Sequence, residues 1–318
     1  MSEVQPDSRW AFIDRIPFPW LHKLYSRLPK SRVPILGGEE LLVGTDTSGT
    51  QRGSRYVVTG ALVMDTRNSL TWHRDRLRIR RDILRDGRRM SYKNLNDARR
   101  REALVPFLEA ADRISGVCLL MAFDKRLGRV CTWDGLYERA KSEGVIRGNW
   151  NQSNLEQMMR TVQLVSTLLA AVAVRHQNIY WISDLDDCFA TEERKIDTAR
   201  MMSAFTSEYI KEDLGELGIG TTELDEGDRL EEDITAIPDL AAGAVSDLLN
   251  RMHQHLGTFP QLPTFMPTLK NKTDLISSWF FNRKSSLVKL ACVVRFVAHR
   301  HMQVGFFSTE PEGDIIVL

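Results

Sequence analysis

Several absences narrow what this chain can be. Only four cysteines occur in its 318 residues, at positions 118, 131, 188 and 292, with no close pair of the kind that zinc or redox sites use. That spacing favours reduced thiols, so a cytoplasmic location is expected. Histidines are few. "HQH" at 253–255 and "HRH" at 299–301 set two rings two residues apart, off a shared helical face, so no zinc site is expected. No Ser, His and Asp stand in a nucleophile-elbow order. A charge excess is also missing: 43 Lys and Arg face 42 Asp and Glu, so any pull on nucleic acid or membrane must come from a local patch. The most apolar run, "VQLVSTLLAAVAV" at 162–174, falls short of the ~20 residues of a membrane span and predicts a buried helix. The opening "MSEVQPDSRWAFIDRIPF" holds acids and prolines without an apolar block, unlike a secretory leader.

What is present is an alternation of short apolar runs and helical patterns. Residues 1–38, with Trp10, Phe18, Trp20 and Tyr25, predict an arm that docks by aromatic burial. Strands at 41–45 and about 55–64 flank a Thr, Ser and Gly tip, the chemistry of a hairpin. "GVCLLMAF" at 116–123, "NIYWIS" at 178–183 and "LGIGTTEL" at 217–224 read as further strands. Helices are expected over 153–175 and 190–213, from Asn96 as an N-cap, and from "AIPDLAAGAV" onward. A Pro-rich linker at 257–272, a helix around 284–300 and a closing strand "HMQVGFFS" complete the plan. A leading hairpin followed by alternating strands and helices predicts an α/β fold with a mixed sheet. The expected units are the arm (1–38), a core (39–256) and a C-terminal extension packing on it (257–318).

Three acids hold related places in this plan: Asp46 at the end of the first strand, Asp184 just after "YWIS", and Asp239 in the first turn or two of a helix. Carboxylates at neighbouring strand ends converge, and clustered oxygens suit Mg²⁺ or Mn²⁺. Ions held together in this way serve phosphodiester hydrolysis. Each acid also has a plainer reading. Asp46 in a Thr-Ser-Gly turn can cap its own backbone, Asp184 can cap the next helix, and Lys93 in "SYKNL" can be a surface lysine.

The order "LVGTDTSGT…YVVTGALV", "MSYKNL", "IYWISDLDDCFATEERK" and "IPDLAAGAV" resembles the domain of unknown function 3800 family over about residues 40–250. The resemblance implies a ribonuclease H-like mixed sheet flanked by helices, elaborated by the arm and the C-terminal segment. It implies metal-binding roles for Asp46, Asp184 and Asp239, with Asp187 the competitor for the middle position, and places Lys93 where a cation could touch substrate phosphate. Thr47 stands where the family often has a glutamate, so one acidic ligand is missing.

Two stretches of opposite charge complete the reading. From Arg74 to Arg101 there are twelve Lys or Arg and four Asp, either a phosphate-binding groove or a solvated face, with Arg74, Arg78, Arg81 and Arg85 on one side of a helix. "ELDEGDRLEED" reads as a solvated loop that could instead shield the metal site or dock on the basic helix of another copy. The leading expectation is therefore a Mg²⁺- or Mn²⁺-dependent nuclease acting on DNA or RNA. A catalytically silent module binding nucleic acid or a partner protein is the alternative. A sugar-kinase-like ATPase, with "VCTWDGLYE" at 130–138 as its second phosphate hairpin, is a distant third.

Overall fold

Strands made almost wholly of apolar residues need cover on both faces. The computed structural model, which describes residues 18–28, 32–184, 188–210, 213–225, 227–256, 271–282, 284–296 and 302–306, supplies it. The hairpin is β1 (Glu40–Ser48) and β2 (Tyr56–Asp65), and β3 (Gly116–Asp124) pairs antiparallel with β2. On the other side, β4 (Asn178–Ser183) runs parallel to β1 and β5 (Leu217–Thr221) parallel to β4. Beyond β3, β6 (Leu287–Phe296) is parallel to it and β7 (Met302–Phe306) closes the edge antiparallel. The result is a mixed seven-stranded sheet in the order β5-β4-β1-β2-β3-β6-β7.

Among the described residues eight α-helices flank it: α1 (Pro19–Arg27), α2 (Leu70–Asp82), α3 (Ala98–Ala111), α4 (Leu136–Ser142), α5 (Gln152–Val172), α6 (Glu192–Tyr209), α7 (Leu230–Leu256) and α8 (Lys272–Phe281). Alternation along the strands divides the apolar residues between two cores. Leu41, Val43, Ala61, Val63 and Leu119 meet α1, α5 and α6, while Leu42, Leu62, Met64 and Leu120 meet α2, α3, α7 and α8. No helix among the described residues is long and apolar enough to cross a membrane. The 162–174 run lies mostly in α5, whose residues pack into the first core.

The arm docks as expected where it is described. Trp20 is fully buried with its ring edge-on to Phe123 at 5.2 Å, and the Tyr25 hydroxyl donates to the Thr167 carbonyl at 2.5 Å. Trp10 and the linker residues 257–270 lie outside the described residues.

Two expectations fail. The helix expected around 284–300 is strand β6, because "LVKLACVV" is buried on both faces and so lacks the alternation that marks a half-exposed strand. The expected Asn96 cap is Asp97, which accepts the Arg100 N–H at 3.0 Å.

Candidate functional site

Register decides which strand ends meet. In the parallel pair, Thr45 lies beside Ser183, so Asp184, just past β4, comes to the level of Asp46, which is not the end of the first strand as expected but still paired with Gly60 within β1. Leu42 faces the α7 side and Val43 the α5 side. Alternation then turns Asp46 toward α7 and Thr47 away from it, and Thr47 Oγ1 lies 3.4 Å from Thr59 Oγ1 on that other face.

α7 lies close over the hairpin because two positions there have no side chain. A Cβ on Gly44 would come within 2.6 Å of Ile234, and one on Gly60 within 2.9 Å of Pro238. Pro238 thus seats on Gly60, and Asp239 follows it. Asp239 lies in mid-helix rather than in the first turns, because residues from Leu230 onward are already helical.

A loop between α2 and α3 closes the site. Tyr92 donates its backbone N–H to Asp239 Oδ2 at 3.0 Å. Its ring lies where a Cβ on Gly243 would stand, 2.3 Å from Tyr92 Cγ, so the small residues after Asp239 make room for it. The Tyr92 hydroxyl meets Asp247 Oδ2 at 2.6 Å and Thr273 Oγ1 at 2.7 Å, and Lys272 Nζ stands 4.2 Å from the ring centre.

The same loop carries Arg89, whose Nη1 lies 2.6 Å from Asp184 Oδ1. Asp184 Oδ1 also accepts the Thr222 hydroxyl at 2.9 Å. Burial works against the Arg89 charge, but Asp184, Asp239 and Asp46 outweigh it and hold its pKa above the ordinary value. Of the three carboxylates, Asp184 bonds the guanidinium, and Asp239 and Asp46 act on it through their charge. Arg89 Nε is buried and makes no hydrogen bond among the described residues. Burial raises the Asp239 carboxyl above the usual carboxylate range, against the pull of the Tyr92 N–H, Arg89 and Ser91, and the Asp184 charge adds to the rise.

The donor chemistry suits a hard divalent cation, since all three groups are carboxylates. Their spacing does not: among the described residues no three His, Cys, Asp or Glu side chains stand close enough to hold a metal ion together. The cation bonded to Asp184 is Arg89. Asp187 lies outside the described residues, and Lys93 is exposed beside Tyr92 without touching the acids.

Arg89 was not singled out in the sequence, being one arginine among twelve cationic residues. Glu232, which also lies in the field of Arg89 and has its pKa raised by burial, belongs to the stretch read as a solvated loop. That reading is corrected. Asp225 and Asp233 are buried, and Asp233 accepts Arg80 Nη2 at 2.7 Å and Arg76 Nη1 at 3.2 Å. The loop became structure because the basic helix α2 lies opposite it.

The same pairing consumes much of the Arg74–Arg101 charge. Arg76 and Arg80 are buried against α7, Arg81 pairs with Asp82, and Arg88 bridges Asp86 and Asp97. Arg74, Lys93 and Arg101 are exposed and make no side-chain hydrogen bond or ion pair among the described residues. Residues 130–138 form no hairpin: Glu156 accepts the N–H groups of Val130, Cys131 and Thr132 at 2.8–3.1 Å, and α4 follows.

Neither a family model nor a curated protein matches the chain.

Proposed function

We propose that this chain is a divalent-metal-dependent phosphodiesterase acting on nucleic acid, built on a ribonuclease H-like core. The observation that carries the reading is that the β1–β4 register and the seat of Pro238 on Gly60, the partner of Asp46, bring Asp46, Asp184 and Asp239 to one end of the sheet, where Arg89 bonds Asp184. Carboxylates brought to one place repel unless a positive charge offsets them, and here Arg89, 2.6 Å from Asp184, supplies it. The strand order β3-β2-β1-β4-β5 with a leading hairpin supports the fold assignment, and the four-segment resemblance supports the chemistry.

Asp46, Asp184 and Asp239 would hold Mg²⁺ or Mn²⁺, which when bound supplies the charge that activates water and stabilises a leaving oxygen. Arg89 sets the condition. Its guanidinium must leave the acids for the ion to enter, and a substrate phosphate offers it a bidentate partner in exchange. The unbonded Nε shows that its present place does not satisfy it fully. Incubation of labelled DNA and RNA with Mn²⁺ tests the reading. Cleavage by the native chain that disappears in both Asp46→Ala and Asp239→Ala is the expected result, and cleavage that persists in either variant removes it.

Arg89 also favours a second reading, a catalytically silent module that binds nucleic acid or a protein. A permanent guanidinium would make the acid cluster a structural ion network. Mn²⁺ binding by the native chain separates the two.

A further inference from the structure

The opposite face of the same hairpin carries a second constellation, and its charge is reversed. A cavity of about 540 Å³ opens there between the hairpin tip, β3 and the start of α5. Arg52, Lys125, Arg129 and Arg160 line it, and its one carboxylate is Glu156. Glu156 is already spent: it accepts three backbone N–H groups, the Thr132 hydroxyl at 2.8 Å and Arg160 Nε at 2.8 Å. Arg160 is the cation it neutralises. Lys125 Nζ donates to the Gln51 and Thr50 carbonyls at 2.6 and 3.2 Å, which satisfies hydrogen bonds but not charge. Arg129 meets Asp134 at 2.7 Å, a carboxylate 91% exposed that lies, with Glu138, in the wall of the neighbouring hollow rather than of the cavity, so solvent screens the pair. Arg52 is exposed at the tip and makes no side-chain hydrogen bond or ion pair among the described residues. The cavity therefore holds an uncompensated positive field.

Beside it lies a hollow of about 320 Å³ that shares Gln152 with the cavity and is lined by Trp133, Tyr137 and Trp150. Trp133 is 55% exposed, so its ring is open to a planar partner. Cations that track a backbone, set next to an open aromatic face, are the two parts of a single-strand binding groove. Thr59 lines the cavity and pairs in register with Thr47, the neighbour of Asp46. A chain lying across the hairpin tip would thus pass from the basic cavity to the acidic cluster.

We propose, resting on the nucleic-acid reading above for the class of ligand, that this face grips single-stranded nucleic acid. Backbone phosphates sit among Arg52, Lys125 and Arg129, and a base stacks on Trp133. The bound strand feeds the acidic end of the sheet from behind.

The test is fluorescence anisotropy with labelled oligothymidylate and oligouridylate in EDTA, so that metal and cleavage play no part. Four proteins are compared: the native chain, Arg52→Glu with Arg129→Glu, Trp133→Ala, and Arg78→Glu with Arg81→Glu on the other face as a charge-matched control. All the substituted residues are exposed, and thermal melts check that each variant is folded. The cavity double variant is expected to bind at least about tenfold more weakly and to lose about 1.4 from the slope of log affinity against log salt, for two lost phosphate contacts. Trp133→Ala is expected to weaken single-strand binding by about tenfold with the slope unchanged, and the control to change neither. Native affinity and slope in the cavity double variant would overturn the proposal, as would duplex bound as tightly as single strand and indifferent to Trp133. Loss of binding in these variants with no Mn²⁺-dependent cleavage by the native chain leaves the groove standing and removes the hydrolytic reading. Unchanged binding alongside Asp239-dependent cleavage does the reverse.

Discussion

The two faces of the hairpin treat charge in opposite ways. On the α7 face, acids and arginines are interleaved: Asp233 with Arg76 and Arg80, and Asp184 with Arg89. On the α5 face, the single acid of the cavity wall is used up holding backbone, and cations are left over. The twelve cationic residues between 74 and 101 look in sequence like the natural place for a polyanion, yet Arg76 and Arg80 are counterweights to α7 and Arg78, Arg81, Arg88, Arg89 and Arg99 pair with acids elsewhere in the fold. The surplus lies with Arg52, Lys125 and Arg129, scattered along the sequence and joined by the fold. A charge run measures composition, and what attracts a partner is charge left after the fold has paired its own.

The largest expected effect breaks the interleaved face. Asp233→Ala removes the one buried carboxylate shared by Arg76 and Arg80, leaving Arg76 with Asp228 and Arg80 with Glu232 at 3.6 Å, and should cost about 3 kcal/mol of unfolding free energy in a urea titration. A loss under about 1 kcal/mol would mean that those arginines find water and that the face is less closed than described. On the other face, Glu156→Gln keeps the size of the side chain but loses the charged acceptor for residues 130–132, and should cost about 2 kcal/mol.

Asp239→Asn should do the opposite. Asparagine keeps an acceptor for the Tyr92 N–H and removes a carboxylate that burial disfavours, so the variant should be more stable by about 1 kcal/mol at neutral pH. The sign follows from linkage: a folded pKa raised above the unfolded value near ~3.9 means that ionisation costs stability. The gain should therefore be absent at pH below the unfolded pKa and open as pH rises through the folded one, which denaturation series at several pH values will show. A destabilised Asp239→Asn would mark Asp239 as a structural residue.

The smallest effect concerns the thiols. All four cysteines are buried, and burial pushes the Cys118 thiol up to about 12. No thiol should react with a disulfide reagent until the chain unfolds, on either face of the sheet.

Much of the scaffold was legible in the sequence. "NIYWIS" and "GVCLLMAF" gave strands nearly to the residue, because a short apolar run bounded by polar residues has few other uses. Asp46 and Asp184 stand out in the sequence as acids placed next to such runs, and Asp239 as an acid in a helix of small residues. β6 was misread because burial on both faces erases the period that separates strand from helix. Arg89 was illegible on different grounds: its role depends on a loop held by Tyr92, which depends on Gly243 and Asp247 some 150 residues away in the chain. The basic cavity was hidden likewise, since Arg52, Lys125 and Arg129 come together only after the hairpin and β3 have paired.

Mn²⁺ titration followed by electron paramagnetic resonance, on the native chain, Arg89→Ala and Asp239→Asn, tests most directly whether Asp46, Asp184 and Asp239 form a cation site that Arg89 now holds. The native chain should bind the ion, Arg89→Ala should bind it at least about tenfold more tightly for want of a competing charged hydrogen bond, and Asp239→Asn should lose it. A native chain that leaves Mn²⁺ free, or binding indifferent to both substitutions, would contradict the account.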